Sequence, residues 1–422
     1  MEMGCFGCFG FSRRHKAIAR PRFRWGGFAG GMSREKLLRP GIVEEEEEEE
    51  DEDEDNDRLY NGESTSMTQG DDSDMPSTAK RSEEVLSFKI KNGLICRQFQ
   101  VKETCKLVRS EDENGNKMIN EYVRECKIGS GSYAKVVLYR SSIDGINYAI
   151  KAFHKSHLLK QRVAPSETAM TDVLREVLIM KIVSHPNIVN LIEVIDDPDT
   201  DHFYMVLEYV EEKWDHEGAG PQGGLGEATA RKYLRDIVSG LMYLHSHNIV
   251  HMDIKPQNLL VTRNGTVKIA DFSVSQVFEG DNDELRRSPG TPVITAPECC
   301  LGISYRGKAA DTWAVGITLH CMIMGSFPFI GETLQDTYDK IVNDPLNLPD
   351  NINPQLRNLL EGLLCKDPKQ RMTLEVVAEH PWVLGEDGPL PEFLCWCNQN
   401  GLQRDLLANG VDEKTNGGEG EF

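Results

Sequence analysis

The 422-residue chain has no run of 18 apolar residues, so no membrane-spanning segment is expected. It lacks the pattern of a secretory signal, because Arg13-Arg14-His15-Lys16 interrupts a short apolar start. Its eleven cysteines show neither disulfide-like nor metal-like order: Cys5/Cys8 and Cys395/Cys397 are close pairs, but neither has a second pair at zinc-site spacing. The internal cysteines are therefore read as reduced packing thiols of an intracellular protein. A cationic excess is also missing, and no nucleic-acid binding is expected. The formal net charge is −21, but the acids are concentrated in an unbroken run from Glu44 to Asp55, followed by Asp57. Setting those thirteen aside brings −21 to −8, an ordinary soluble balance, so the acidity belongs to a tail and says little about a substrate.

Three regions follow from composition. Residues 1–118 read as a largely disordered N-terminal region, because the acidic run and the Ser/Thr/Asp/Gly-rich sequence after it cannot bury enough apolar surface to order themselves. The first 40 residues form a basic, aromatic, Gly-rich arm; they also fit a peripheral membrane anchor, with Cys5 and Cys8 among Phe residues beside a polybasic patch. Otherwise the expected address is cytoplasmic, nuclear or both. Between Val85 and Val108 the pairs Phe88/Ile90 and Phe99/Val101 alternate, which predicts short strands or an extended arm. Residues 119–383 carry the patterning of a compact domain divided near 210, and residues 384–422 read as a flexible tail.

Within 119–383 the chemistry-bearing residues recur in a fixed order. A hairpin over Tyr122 to Tyr139 is interrupted by Gly129-Ser130-Gly131-Ser132-Tyr133-Ala134-Lys135-Val136, where backbone N–H groups can approach phosphate oxygens. The strand Tyr148-Ala149-Ile150-Lys151 supplies a cation, and a helix over Val173 to Val183 carries Glu176 at the edge of its apolar stripe. Residues 156–170 form an insert containing Thr168. A strand then ends in Leu207-Glu208-Tyr209-Val210, and a long helix over Ala228 to His245 delivers the chain to His251-Met252-Asp253-Ile254-Lys255-Pro256-Gln257-Asn258. Asp253 is a carboxylate able to orient an attacking hydroxyl, and Asn258 offers an amide oxygen for a metal ion. A hairpin around Asn264-Gly265 follows, and then Asp271-Phe272-Ser273.

This order resembles the protein kinase superfamily, whose fold is α+β and bilobal, with a small β-rich N-lobe (119–210 here) and a large α-helical C-lobe (211–383). The resemblance implies ATP and Mg²⁺ as cofactors. ATP would be held by Ile128, Gly129, Ser130, Gly131, Ser132, Tyr133, Ala134, Lys135, Val136, Ala149, Lys151, Leu207, Glu208, Val210 and Leu260. It implies Asn258 and Asp271 as metal ligands, Asp253 as the catalytic carboxylate, Lys255 at the γ-phosphate, and Glu176 as the partner of Lys151. Lys255, two residues after Asp253, matches the Ser/Thr-specific pattern, and Val274 favours Thr acceptors. Thr291 is expected to bond Asp253 and Lys255, and Arg371 to pair with Glu298 of Ala296-Pro297-Glu298.

The segment Asp271-Phe272-Ser273-Val274-Ser275-Gln276-Val277-Phe278-Glu279-Gly280, with Gly290-Thr291-Pro292, looks like calcium/calmodulin-dependent kinase kinases. With Ser273 and the acidic tail, it resembles the plant geminivirus Rep-interacting kinases. That resemblance implies a downstream partner, the activation-loop Thr of a sucrose-non-fermenting-related kinase, and a viral replication protein as a second partner. Calmodulin control is not expected, because the sequence after Trp382 is acidic and Gly-rich. Three residues depart from the kinase pattern: Ala134 for the third Gly, Met252 for Arg, and Ser273 for Gly. Met252 predicts weaker dependence on activation-loop phosphorylation. Ala134 and Ser273 leave open a scaffold that binds without turnover. Thr168, Ser275 and Ser288 are candidate phosphosites.

Overall fold

A computed structural model describes residues 78–399, apart from 94, 132, 165–166, 214–223, 287–289, 303 and 394. The arm with Cys5 and Cys8, the acidic run, Ser132 and Ser288 lie outside the described residues.

The first described element is a helix, not the strands expected from alternation. Helix α1 (Thr78–Lys91) places Ser82, Leu86 and Ile90 at i, i+4 and i+8 on one face; Ser82 and Leu86 are wholly buried, and Phe88 points outward, 56% exposed. A two-residue alternation at Phe88/Ile90 is too short to separate period 2 from period 3.6, and packing decides it. The folded body therefore starts well before residue 119.

Three short strands follow, β1 (Lys102–Thr104), β2 (Arg109–Glu111) and β3 (Lys117–Ile119), then β4 (Tyr122–Ser130), β5 (Lys135–Ser141) and β6 (Asn147–His154). The expected insert forms helix α2 (Lys155–Lys160) and a small ribbon of β7 (Arg162–Ala164) and β8 (Glu167–Thr168). Helix α3 (Ala169–Ile182) carries Glu176, and β9 (Leu191–Asp196) and β10 (His202–Glu208) complete one sheet in the order β1-β9-β10-β6-β5-β4-β3-β2. It is antiparallel except for β1 beside β9. Ala149, Lys151 and Leu207 are set side by side, since Ala149 pairs with Leu207 and Lys151 with Met205.

The second lobe is helical. After the short β11 (Glu212–Lys213), α4 (Glu227–Ser246) buries Ala230, Leu234, Ile237, Val238, Leu241 and Leu244 at helical spacing. It ends at β12 (Ile249–Val250), which hands the chain to the loop 251–258; β13 (Leu259–Val261) and β14 (Val267–Ile269) form the predicted hairpin, with Gly265 at φ +75° in its turn. Strands β15 (Gln276–Val277), β16 (Glu284–Leu285) and β17 (Tyr305–Arg306) and helix α5 (Pro297–Cys300) lie around the activation segment. Helix α6 (Gly307–Met324) is buried nearly all round, with Trp313 fully enclosed. Helices α7 (Leu334–Asn343), α8 (Pro354–Leu363), α9 (Leu374–Ala378) and α10 (Pro381–Leu384) surround it, and a last turn, α11 (Trp396–Gln399), follows.

The C-terminal stretch expected to be flexible from 384 is tied down at its beginning. Arg235 on α4 donates to the carbonyls of Val383 (2.8 Å), Gly388 (2.7 Å) and Pro389 (3.1 Å). Cys395 and Cys397 beyond them are buried.

Candidate active site

The lobes meet at a cleft whose roof is the β4–β5 hairpin. Gly131 N–H donates to the Ala134 carbonyl (2.8 Å) and closes the turn. Ala134 does not have a positive φ, so the third Gly position needs no glycine in this turn. Ile128, Tyr133, Ala134, Val136 and Leu260 are partly buried against the main core, which gives the cleft apolar walls. At its back Leu207 is 7% exposed. Glu208 N–H donates to the Asn190 carbonyl (3.0 Å), so that N–H is already engaged within the fold. The Glu208 side chain turns away to accept from Asn190 N–H (2.7 Å) and Lys268 Nζ (2.9 Å).

Lys151 and Glu176, from β6 and α3, meet as expected: Nζ to Oε1 is 2.7 Å, and Asp271 Oδ1 lies 3.4 Å from the same nitrogen. Burial works against the Lys151 ammonium, but the Asp271 and Glu176 carboxylates outweigh it and hold its pKa above the ordinary lysine value. Burial raises the Glu176 carboxyl, and Lys151 offsets that only in part. Burial alone would raise Asp271 too; the Lys151 charge and a hydrogen bond from Ser273 reverse this and bring it to about 2. Asp271 is thus an ionised hard-oxygen group, the ligand type a magnesium ion takes.

The loop 251–258 brings the other groups in. Asp253 is 6% exposed and fixed by four donors. Its Oδ1 accepts from Thr291 Oγ1 (2.7 Å) and Thr291 N (3.2 Å), and its Oδ2 from Asn258 Nδ2 (2.9 Å) and Lys255 Nζ (2.8 Å). Lys255 also donates to Thr291 Oγ1 (2.6 Å), so Thr291 bridges the two, as expected. Asn258 engages Asp253 through its nitrogen, which leaves its amide oxygen as the end available to a cation.

Asp311, at the start of α6, is a positioning residue for the catalytic loop. Fully buried, its Oδ1 accepts from Met252 N (2.7 Å), and its Oδ2 from His251 N (2.9 Å) and His245 Nε2 (2.8 Å). It clamps a loop in which Met252 takes φ +68°, and Asp271 across the cleft takes φ +66°; left-handed backbone at non-Gly residues is strain that surrounding structure must hold. His251 Nδ1 accepts from Asp253 N (3.3 Å), so its Nε2–H donates to the Ala270 carbonyl (3.2 Å), and burial lowers its pKa. Its ring meets Phe272, wholly buried, edge-on at 5.0 Å.

The activation segment is anchored at both ends. Arg371 grips Glu298 through two nitrogens (2.7 and 2.8 Å), the expected buried pair. Ser275 is fully buried, its hydroxyl donating to the His251 carbonyl (3.0 Å), while Arg175 on α3 donates to the Ser275 carbonyl (3.0 Å). The candidate phosphosite Ser275 is thus closed to modification in this arrangement, because its hydroxyl holds the catalytic loop. Thr168 caps α3 in a capping box with Thr171. Met252 lies in an apolar pocket with Ile294, Ala296, Cys299, Ala310 and Ala314, where a kinase of the usual pattern would have a guanidinium.

The geometry agrees with the comparisons. The protein kinase domain profile matches residues 122–383. The chain is 71% identical over 341 residues to serine/threonine-protein kinase GRIK2 of Arabidopsis thaliana, covering 80% of this chain and 84% of that one. It is 62% identical over 407 residues to the Arabidopsis serine/threonine-protein kinase GRIK1, covering 94% of each. SNF1-activating kinase 1 of Saccharomyces cerevisiae is 35% identical over 350 residues, 69% of this chain and 30% of that one. No described helix is long and apolar enough to cross a membrane. With its Lys, Glu and two Asp groups gathered as the motifs require, the chain belongs to the protein kinase family and is a serine/threonine protein kinase.

Proposed function

We propose that this kinase transfers the γ-phosphate of ATP to the activation-loop Thr of a sucrose-non-fermenting-related kinase and thereby activates it. The observation that carries catalysis is the intact set Lys151–Glu176–Asp271 at 2.7 and 3.4 Å facing Asp253, held by Thr291 and Lys255. The substrate class is supported by the similarity to a yeast kinase whose name states that it activates SNF1.

In this reading the β4–β5 hairpin and Lys151 hold ATP, and Glu176 fixes the lysine. Asp271 and Asn258 would hold Mg²⁺, which supplies charge neutralisation on the phosphates. Asp253 orients the acceptor hydroxyl and receives its proton, and Lys255, beside it, offers its charge to the phosphoryl oxygens. Thr291 joins the acceptor-binding segment to the catalytic loop, so the carboxylate and the docked chain are positioned together.

The test is transfer of labelled phosphate from ATP to a catalytically dead sucrose-non-fermenting-related kinase, with the product mapped by mass spectrometry. Incorporation at the activation-loop Thr is expected. Autophosphorylation with no transfer retains the enzyme and discards this substrate; ATP binding with no transfer of either kind supports the scaffold.

A further inference from the structure

The sequence separates its cysteines so that no zinc-binding spacing is visible, but the fold collects three of them with a histidine. Cys96 follows α1, His247 caps the C-terminal end of α4, and Cys395 and Cys397 lie just before and within α11. Their sulfur and imidazole atoms all lie within 4.8 Å of one another. His247 Nε2 is 3.4 Å from both Cys395 Sγ and Cys397 Sγ, and those two sulfurs are 3.0 Å apart. The three cysteines are 6%, 2% and 5% exposed, and none is in a disulfide. A tetrahedral zinc with Zn–S of about 2.3 Å and Zn–N of about 2.0 Å needs ligand atoms about 3.5–3.8 Å apart. The cluster spans 3.0 Å to at most 4.8 Å, so side-chain shifts of up to about 1 Å would bring the four atoms to that geometry.

We propose that Cys96, His247, Cys395 and Cys397 form a structural zinc site. The imidazole is prepared for it. His247 Nδ1 lies 2.7 Å from the Tyr243 carbonyl, to which it must donate, so the Nε2 lone pair is aimed at the sulfurs; a fixed second nitrogen of this kind orients histidine ligands. Three thiolates favour a soft divalent ion, and four protein ligands leave no position for water or substrate, so the site is structural and not catalytic. Binding releases the thiol protons and leaves the site with a net charge of about −1 from three thiolates and one dication. Lys89, which donates to the His247 carbonyl at 3.0 Å, sits close enough to balance it.

The location gives the metal a purpose beyond pinning a tail. Cys96 N–H donates to the Ile182 carbonyl (2.8 Å) at the end of α3. The next residue, Arg97, is buried and donates to the carbonyls of Met180 (2.9 Å) and Leu191 (2.7 Å). The site therefore joins the helix that carries Glu176, through Cys96 and Arg97, to α4 of the other lobe and to the C-terminal segment. Zinc holds that helix in the position that keeps Lys151 and Glu176 paired.

The test starts from full-length protein purified without a histidine tag or chelator, with its metal measured by inductively coupled plasma mass spectrometry. One zinc per chain is expected, lost in the Cys395→Ser/Cys397→Ser variant with a lower melting temperature. If that variant does not fold, cobalt exchange into the native protein decides the matter. Thiolate-to-cobalt charge-transfer absorption with intense tetrahedral d–d bands supports the site. A folded native protein with no bound metal, no such cobalt spectrum and ready alkylation of Cys96, Cys395 and Cys397 overturns it. A disulfide among the three in a non-reduced peptide map overturns it as well.

Discussion

Replacing Asp311 by Asn should impair turnover without impairing ATP binding. Asp311 accepts three hydrogen bonds in a fully buried site, two of them from the backbone of His251 and Met252. Asn keeps one oxygen and turns an NH₂ toward the second set of donors, so at least one charge-assisted bond becomes a donor–donor contact. A lost hydrogen bond to a charged group costs about 1.5–3 kcal/mol. The clamp also holds Met252 in a left-handed backbone whose strain is about 1–3 kcal/mol, and this relaxes when the clamp weakens. If most of the first term appears as misplacement of Asp253 in the transition state, kcat falls about 10–100-fold at about 1.4 kcal/mol per tenfold. The KM for ATP should change by less than about threefold, because the Lys151–Glu176 side of the cleft is untouched. The assay is steady-state kinetics on a Thr acceptor beside a thermal melt. A lowered melting temperature with unchanged kcat would show that Asp311 supports the fold without shaping the loop, the opposite of what is expected.

Other consequences are separable. Thr291→Val should abolish most activity by breaking the bridge between Lys255 and Asp253, whereas Thr291→Ser should retain a measurable part of it; equal loss in both contradicts the bridge. Because Met252 offers no guanidinium, phosphatase-treated enzyme should keep most of its activity, and a collapse on phosphatase treatment would show dependence on activation-segment phosphate. Removing residues 1–77 should leave catalysis intact, whereas removing 1–118 should not. The longer deletion takes away Leu86, whose truncation to Ala alone would cost about 2–5 kcal/mol, and Arg97 at the end of the Glu176 helix; equal activity in both would contradict this. Asp271 is held at about 2, below its unfolded value, so its contribution to stability is fully present above that unfolded value and lost as pH falls through about 2. Acid titration of Asp271→Asn followed by circular dichroism should therefore show a shallower loss of stability below pH about 4 than the native enzyme.

The active site was legible in the sequence because each of its parts is a local motif. Residues 251–258 fix their own relative placement within one loop, and Lys151 and Glu176 lie on elements whose periodicity names them. The partners that hold these motifs in place were not legible in the same way. Asp311 meets His251 only because α6 passes beneath the catalytic loop, and no spacing in the chain encodes that crossing. At helix α1 the alternation of Phe88 and Ile90 points to a strand, while the buried positions Ser82 and Leu86 follow the helical period that the fold adopts. Cys96 and His247 were invisible as companions of Cys395 and Cys397, since zinc-site spacing is a property of local knuckles and this cluster is assembled from three distant segments. The Ser275 hydroxyl donates to the His251 carbonyl, a contact that its place in the sequence does not reveal.

Asp253, held by Thr291, Lys255 and Asn258, is proposed to orient the acceptor hydroxyl for phosphoryl transfer. The most direct measurement is single-turnover transfer from ATP to a Thr acceptor and its Ser counterpart, by the dephosphorylated native enzyme and by Asp253→Asn. Transfer that favours Thr, and that falls by about a thousandfold in the variant with ATP affinity unchanged, is the predicted result. Equal rates for native enzyme and variant would contradict it.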